Sequence, residues 1–436
     1  MANTIKEQQD ILEKLNIFEL NTMQEEALSV IDKTTNTIIL SPTGSGKTLA
    51  FLLPIITLLD PECTEVQALI LVPSRELAIQ IEQVVRSMGS GYKVNAIYGG
   101  RAISKDKIEL KHTPAILIGT PGRIADHFNQ ERFSTKFIKI LVIDEFDKSF
   151  EVASDGEIKD ILSYLPSINK RILTSATAAP KIPGYIRLDQ PIILDYLQLK
   201  NKKLTIKTVV SPSKSKLKTL LELLIYVGNE QGIVFCNYKE SIVKISDFLT
   251  KSKISHGCFY AGMDQQERER SLIKLKNRTY QVIIATDVAA RGIDIPEMKF
   301  VVHYEVPSIV DEFTHRNGRT ARVDSKGTAY VLKWEEEILP EFVKSSSVEK
   351  MKEKVKRTPQ YWETLFISGG RKDKISKGDI AGMFFKQGNL TEDQLGLIDL
   401  KQDCAFVAVP ITLAKELVTT LNNSKLKNKK VRVTIV

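Results

Sequence analysis

Thr37-Ile38-Ile39-Leu40-Ser41-Pro42-Thr43-Gly44-Ser45-Gly46-Lys47-Thr48 is the stretch that decides this chain, and a strongly apolar run over residues 49–59 follows it. An apolar strand, a glycine-rich turn and a buried helix, in that order, set backbone N–H groups around a phosphate at a helix N-terminus. Gly44 and Gly46 let the backbone curl tightly about the anion, with Thr43 and Ser45 in the same cradle. Lys47 can then reach the β- and γ-phosphates, and the Thr48 hydroxyl can hold Mg²⁺. Ser41 stands where the strict pattern begins with Gly. Further on, Leu141-Val142-Ile143-Asp144-Glu145-Phe146-Asp147 ends a second apolar strand in acids. There Asp144 can bind Mg²⁺, partly through water, and Glu145 can orient an attacking water. Alone, the first segment could be a surface turn and the second a solvated strand end. In this order, each behind its own buried strand, they point to nucleoside triphosphate hydrolysis.

Composition narrows the setting. A chain of 436 residues is long enough for two or three domains with independent cores. Charged residues at 26% and hydrophobic ones at 42% are ordinary for a soluble globular protein. A net charge of +9 favours a polyanionic partner. Cys63, Cys236, Cys258 and Cys404 are scattered and the five histidines lack ligand spacing, so neither zinc nor a disulfide framework is expected, and a reducing cytoplasm fits. The first residues are polar and lack a signal core. The run over residues 49–59 contains Pro54 and is too short to span a bilayer, so no membrane association is expected.

Short, mostly continuous apolar runs separated by helical patterns recur at residues 68–72, 115–118, 138–143 and 172–173. Such runs suit parallel strands covered on both faces, hence a βαβ domain ending near Leu194. A lysine-rich stretch over residues 200–218 follows, and a second series of runs at 232–235, 281–285, 299–303 and 328–332 predicts a second α/β domain without a phosphate loop. Residues 344–360 are polar and mostly basic and read as a linker or an exposed helix. Beyond them, strands are expected at 364–368, 397–400, 405–409 and 430–436, with helices at 377–386 and 411–421. That β-α-β-β-α-β order is a ferredoxin-like sandwich of the kind common in RNA-recognition domains. The domains expected are therefore residues 1–195, 204–345 and 362–436.

Over residues 15–335 the chain resembles the DEAD-box RNA helicases. Besides the two segments above, it carries Pro73-Ser74-Arg75-Glu76-Leu77-Ala78, the Gly99-Gly100 doublet, Thr120-Pro121-Gly122-Arg123 and Ser175-Ala176-Thr177. It also carries Gln265-x-x-Arg268, the run Ala285-Thr286-Asp287-Val288-Ala289-Ala290-Arg291-Gly292-Ile293-Asp294, and His315-Arg316-Asn317-Gly318-Arg319-Thr320-Ala321-Arg322. The resemblance implies two RecA-like domains that close over ATP and single-stranded RNA. It makes Arg319 and Arg322 fingers on the γ-phosphate, Asp294 a ribose contact and Gln24 the reader of the adenine edge. It makes Ser175 and Thr177 partners of Asp147, coupling nucleotide state to the other domain. Arg75, Gly100, Thr120, Gly122, Arg123 and Thr286 would grip RNA phosphates without reading sequence. Four departures stand out: Leu20-Asn21 replaces the usual Pro-Thr before the glutamine, the upstream aromatic is absent, Phe146 replaces an alanine, and Ala321 replaces a glycine.

Residues 362–436 resemble the DbpA-type RNA-binding domain, through Phe366-Ile367-Ser368-Gly369-Gly370-Arg371-Lys372-Asp373-Lys374, then Lys377-Gly378-Asp379-Ile380, then Ala405-Phe406-Val407-Ala408-Val409. Phe366 and Phe406 are read as core residues, with a stacking platform as the alternative. This segment carries a charge of +4, and Arg371, Lys372 and Lys374 are candidate phosphate contacts. The resemblance implies a monomeric motor tethered to structured RNA, with large-subunit ribosomal RNA the expected target. An ATP-gated RNA clamp with little unwinding is the alternative left open.

Overall fold

The structure is a computed structural model that describes residues 5–152, 156–178, 182–198, 204–287, 298–321, 326–343, 346–351 and 360–436. They form two compact units divided near residue 202.

The first unit holds a parallel sheet of β1 (Asn36–Leu40), β2 (Ala68–Leu71), β3 (Val94–Ile97), β4 (Ile116–Gly119), β5 (Ile140–Ile143), β6 (Lys170–Ser175) and β7 (Ile192–Asp195). Its spatial order is β3-β4-β2-β5-β6-β1-β7. Every residue of β1, β2, β4 and β5 is buried, because helices cover both faces and the β-branched side chains fill the pleats on each side. Ile39, Ile70, Ile116 and Ile118 join a core on one face, while Ile38, Leu69, Leu71 and Leu117 join a second core on the other. The adjacency β5-β6-β1 positions the site, since it lines up the C-terminal ends at Ile143, Ser175 and Leu40. Ligands of open parallel sheets bind at such ends.

The second unit begins with a similar parallel sheet: β8 (Leu204–Ser211), β9 (Gly232–Cys236), β10 (His256–Phe259), β11 (Val282–Thr286), β12 (Phe300–His303), β13 (Gly327–Trp334) and β14 (Ser347–Val348). They lie in the order β10-β11-β9-β12-β13-β8-β14. Apolar runs had marked the central strands of both sheets but not β3, β7, β10 and β14. All four are edge strands, which are short and partly polar or exposed because one side lacks a neighbour. Strand β8 lies in the lysine-rich stretch and is half-exposed, so it carried no continuous apolar signal.

A small antiparallel sheet completes this unit, with β15 (Trp362–Ile367), β16 (Ile398–Leu400), β17 (Ala405–Pro410) and, after the β18 (Lys425–Leu426)–β19 (Lys429–Lys430) hairpin, β20 (Val433–Ile435). Helix Lys377–Lys386 opens with a Ser376/Asp379 capping box, and helix Ala414–Leu421 starts three residues later than expected. The strand expected over 430–436 is split, because residues 429–430 pair in the hairpin. Leu365, Ile367, Ala405 and Val407 face the helices and form the core. The strand period of two therefore sends Phe366 and Phe406 to the opposite face, where they meet edge to face at 5.6 Å. Neither belongs to the core beneath the helices, yet Phe406 is itself buried, as read from the sequence, while Phe366 is half-buried. Of the expected linker, residues 344–345 and 352–359 lie outside the described residues.

Candidate nucleotide site and RNA surface

Strand β1 ends at Leu40 and the chain turns through Gly44 (φ 80°) and Gly46 (φ 90°) into helix Lys47–Leu58. Both φ values lie in the region that favours glycine, and a Cβ on Gly46 would stand 2.4 Å from Gln24 Nε2. Asn21 and Gln24 cap helix Thr22–Lys33 reciprocally: the Gln24 N–H donates to Asn21 Oδ1 and the Asn21 N–H to Gln24 Oε1, each at 3.0 Å. The same two side chains tie down the loop, Asn21 Nδ2 donating to the Ser45 carbonyl at 3.0 Å and Gln24 Nε2 to the Gly46 carbonyl at 3.3 Å. Asn21 thus makes the departure at Leu20-Asn21 a working cap and a loop clamp. Lys47 Nζ donates to the carbonyls of Ser41 and Pro42. Burial pushes the Lys47 ammonium below its ordinary value, against the raising charges of Asp144, Glu145 and Asp147. Thr43 and Thr48 are half-buried on either side of these glycines.

Asp144 follows β5. Its Oδ1 accepts from Thr174 Oγ1, in a buried contact, and from the Glu145 N–H at 3.0 Å. Burial, then the neighbouring Glu145, pushes the Asp144 carboxyl up to about 6, while the Thr174 hydrogen bond and Lys47 oppose the shift. Glu145 takes φ 46°, a left-handed conformation unfavourable for a glutamate, at the junction of strand and helix. Thr177 Oγ1 donates to Asp147 Oδ2 at 3.3 Å. Ser175 reaches Thr177 instead: the Thr177 N–H donates to Ser175 Oγ at 3.0 Å. Thr174, the buried partner of Asp144, was not singled out in the sequence; alternation along β6 beside Ser175 was its one available signal. Phe146 is fully buried in the sheet core and lies 5.8 Å from Phe150, so its bulk points away from the acids.

Two buried oxygens, Ser45 Oγ and Glu145 Oε2, have no hydrogen-bond partner among the described residues. With Thr48 and Asp144 they make a set of hard oxygens, which suits Mg²⁺ carried by a nucleotide.

The loops at the ends of β2, β3 and β4 behave differently from one another. The Arg75 guanidinium lies against Gly100 (φ 85°), where a Cβ would come within 2.1 Å of Arg75 Nη1. Thr120 is the N-cap of helix Pro121–Asn129, and a Cβ on Gly122 would lie 3.3 Å from Glu157 Oε1. Arg123 is already engaged, its Nε 2.7 Å from Asp106 Oδ2. The fully buried Asp106 also takes Arg101 Nε at 2.7 Å and His127 Nε2 at 3.0 Å. Burial would raise the Asp106 carboxyl, but the hydrogen bonds from His127 and Arg123 and the Arg101 charge hold it below its ordinary value.

In the second unit Thr286 closes β11, half-buried, and Arg319 is buried in the turn after helix Val310–Asn317. Asp294 and Arg322 lie outside the described residues. Arg316, quoted in its block but given no role, is the most connected side chain there. Its Nε donates to Asp287 Oδ1 at 2.7 Å, Nη2 to Asn237 Oδ1 at 2.7 Å and Nη1 to the Glu305 carbonyl at 2.6 Å. It ties together the C-terminal ends of β9, β11 and β12. Farther on, Arg371, Lys372 and Lys374 are exposed on one turn, beside which Lys429 pairs with Asp373 at 2.7 Å and Lys427 with Asp379 at 2.8 Å.

Three family profiles match: DEAD/DEAH box helicase over residues 21–183, helicase conserved C-terminal domain over 215–324 and DbpA RNA binding domain over 364–435. The chain is 33% identical to the DEAD-box ATP-dependent RNA helicase CshB of Bacillus subtilis, over 74% of this chain and 76% of that one. It is 28% identical to the ATP-dependent RNA helicase DbpA of the same organism, over 97% of this chain and 96% of that one. In structure it is similar to Dbp5 of S. cerevisiae bound to RNA and ADP BeF3, with a TM-score of 0.68 and 27% identity, over 76% of this chain and 88% of that one. Both parallel sheets are thus RecA-like, and the small antiparallel sheet is a DbpA-type RNA-binding domain. A phosphate loop clamped from Asn21 and Gln24, facing a strand end that presents Asp144 and Glu145, sits where these matches require ATP hydrolysis; the chain belongs to the DEAD-box ATP-dependent RNA helicases.

Proposed function

We propose that this helicase separates short RNA duplexes locally and that its C-terminal domain directs it to large-subunit ribosomal RNA, in ribosome biogenesis, as a cytoplasmic monomer. The observation that carries the catalytic part is the alignment of β5, β6 and β1, which gathers Lys47, Asp144, Glu145 and Thr174 at adjacent strand ends. In this reading the working domains are residues 1–195, 204–345 and 362–436. Thr43, Gly44, Ser45, Gly46 and Lys47 hold the phosphates, Gln24 the adenine and Asp294 the ribose. Thr48 and Asp144 hold Mg²⁺, which neutralises phosphate charge when bound. Glu145 orients the attacking water, and Arg319 and Arg322 stabilise the charge on the transferring oxygens, an effect worth roughly 10³–10⁵ in rate in related NTPases.

Asp147, Ser175 and Thr177 form the relay that reports nucleotide state, supported by the chain of hydroxyls that ends on the Asp147 carboxylate. Arg75, Gly100, Thr120, Gly122, Arg123 and Thr286 hold the RNA backbone. Arg123 does so from a guanidinium already fixed on Asp106, which leaves its remaining N–H donors pre-oriented. ATP and RNA together favour the closed form of the two helicase domains, and phosphate release favours reopening. Arg371, Lys372 and Lys374 supply the tether, which raises the concentration of nearby duplex at the motor. Crosslinking of the full chain to cellular RNA tests the targeting: adducts on residues 362–436 with large-subunit ribosomal RNA support it, and a broad spectrum of other RNAs refutes it.

A further inference from the structure

Strand β6 brings one hydroxyl into the middle of the nucleotide site. Ile172, Leu173 and Thr174 are fully buried along it, and a valine would fill the third position with nearly the same volume. A buried hydroxyl costs free energy unless it is hydrogen-bonded, so its partner shows what it contributes. Leu173 pairs with Ile143 of β5 and Thr174 with Ile39 of β1, which sets Thr174 level with Asp144. Its Oγ1 donates to Asp144 Oδ1 in a contact shut off from water.

The Asp144 main chain is held independently of that bond. Its N–H donates to the Leu71 carbonyl at 3.0 Å, and Ser149 Oγ donates to its carbonyl at 3.1 Å. The carboxylate has fewer holds. Oδ1 accepts from Thr174 and from the Glu145 N–H at 3.0 Å, and no hydrogen bond reaches Oδ2 among the described residues. Lys47 does not supply one, because its Nζ donates to the Ser41 and Pro42 carbonyls. Thr174 is thus the one side chain hydrogen-bonded to this carboxylate among the described residues. The next residue serves the phosphate loop: the Ser41 N–H donates to the Ser175 carbonyl at 3.0 Å. Consecutive positions of β6 therefore set Asp144 and the phosphate loop in one frame.

We propose that Thr174 is a positioning residue for the metal–nucleotide complex: its hydroxyl fixes Asp144 Oδ1 and leaves the second oxygen free for the Mg²⁺ that ATP carries. Outer partners of a carboxylate ligand orient it, and their loss typically lowers metal affinity or activity roughly 10- to 100-fold. Without the hydroxyl, a single N–H from the adjacent residue holds the carboxylate, and the group can turn about its side-chain bonds. The inference rests on the reading of Asp144 as the metal-binding acid and adds to it the residue that aims it.

The test titrates a fluorescent, non-hydrolysable ATP analogue into the full chain, once in EDTA and once in excess Mg²⁺, with urea unfolding measured in parallel. The ratio of the two affinities is the gain that the metal gives. Thr174→Val should bind the analogue in EDTA within about twofold of the unaltered chain and lose roughly tenfold of the Mg²⁺ gain, the low end for an outer partner of a metal ligand. Thr174→Ser keeps the hydroxyl and should keep the gain. Thr174→Ala also lacks the hydroxyl and repeats the reading should the valine variant unfold. An intact gain in the variants without the hydroxyl, an equal loss in Thr174→Ser, or equal losses with and without Mg²⁺ would overturn the role of Thr174. Asp144→Asn separates this from the reading beneath it. If that variant loses the gain while Thr174→Val keeps it, Thr174 alone is wrongly assigned; if it keeps the gain, the assignment of Asp144 itself fails.

Discussion

Asn21 holds the Ser45 carbonyl from its Nδ2 at 3.0 Å while its Oδ1 caps the helix that carries Gln24. One side chain therefore does two separable things. Asn21→Ala should lower stability by about 1 kcal/mol through loss of the N-cap. Asn21→Thr keeps a capping oxygen but no amide donor. It should hold stability within a few tenths of a kcal/mol and still weaken ATP binding by roughly two- to tenfold, the worth of one hydrogen bond. Urea unfolding and titration with a fluorescent nucleotide read the two effects; unchanged nucleotide affinity in Asn21→Thr would show that the clamp is irrelevant.

Glu145 sits beside the buried Asp144 carboxyl, with its own Oε2 unpartnered among the described residues. Glu145→Gln preserves shape and removes the charge. Nucleotide affinity should stay within about twofold, while RNA-stimulated turnover falls by roughly 10²–10⁴, the range for loss of a positioned base. Steady-state hydrolysis at saturating ATP decides it, and turnover close to the unaltered rate removes Glu145 from the mechanism.

The phosphate loop, the acid strand end and the central strands were legible in the sequence because buried parallel strands are continuous apolar runs and phosphate cradles need glycine. Edge strands β3, β7, β10 and β14 were not, since they are short and either carry a polar residue within the strand, as Asn95 in β3, or are partly exposed, as β7, β10 and β14 are. The faces of Phe366 and Phe406 escaped notice for another reason. Apolar side chains alternate through 364–367 and 405–408 on both faces of their strands, and composition alone does not say which face the helices cover. Arg316 shows the complementary limit: its block was recognised, but its bonds to Asp287 and Asn237 join residues 29 and 79 positions away.

Breaking that Arg316 network should cost stability before it costs chemistry. Arg316 is almost fully buried, and Arg316→Ala leaves Asp287 facing a desolvated gap. Removing one partner of a buried pair costs roughly 3–5 kcal/mol. Chemical denaturation of the full chain should show a destabilised transition for the second unit with the first unit unchanged; a shift below about 1 kcal/mol would mean the pair is solvent-screened.

His303 gives the second helicase domain a dependence on acid. Burial, then the nearby Arg316 charge, pushes its imidazole down to about 3, against a hydrogen bond with Asn317 Oδ1 at 2.9 Å. The folded state therefore keeps His303 neutral while the unfolded chain takes up a proton below about 6.5. Stability from this group is fully present above about 6.5 and is lost as pH falls from there towards 3. Between pH 6.5 and 5 the loss is about 2 kcal/mol. Unfolding at the two pH values should show this loss in the unaltered chain and not in His303→Gln; equal losses in both would assign the acid sensitivity elsewhere.

Strand release tests the proposed activity most directly. A short RNA duplex with a single-stranded tail, mixed with excess protein and followed by fluorescence as ATP is added, reports separation in one binding event. The account expects ATP-dependent release with the unaltered chain and none with Glu145→Gln or with ATP withheld. RNA-stimulated hydrolysis that proceeds while the duplex stays intact would contradict it and leave an ATP-gated clamp.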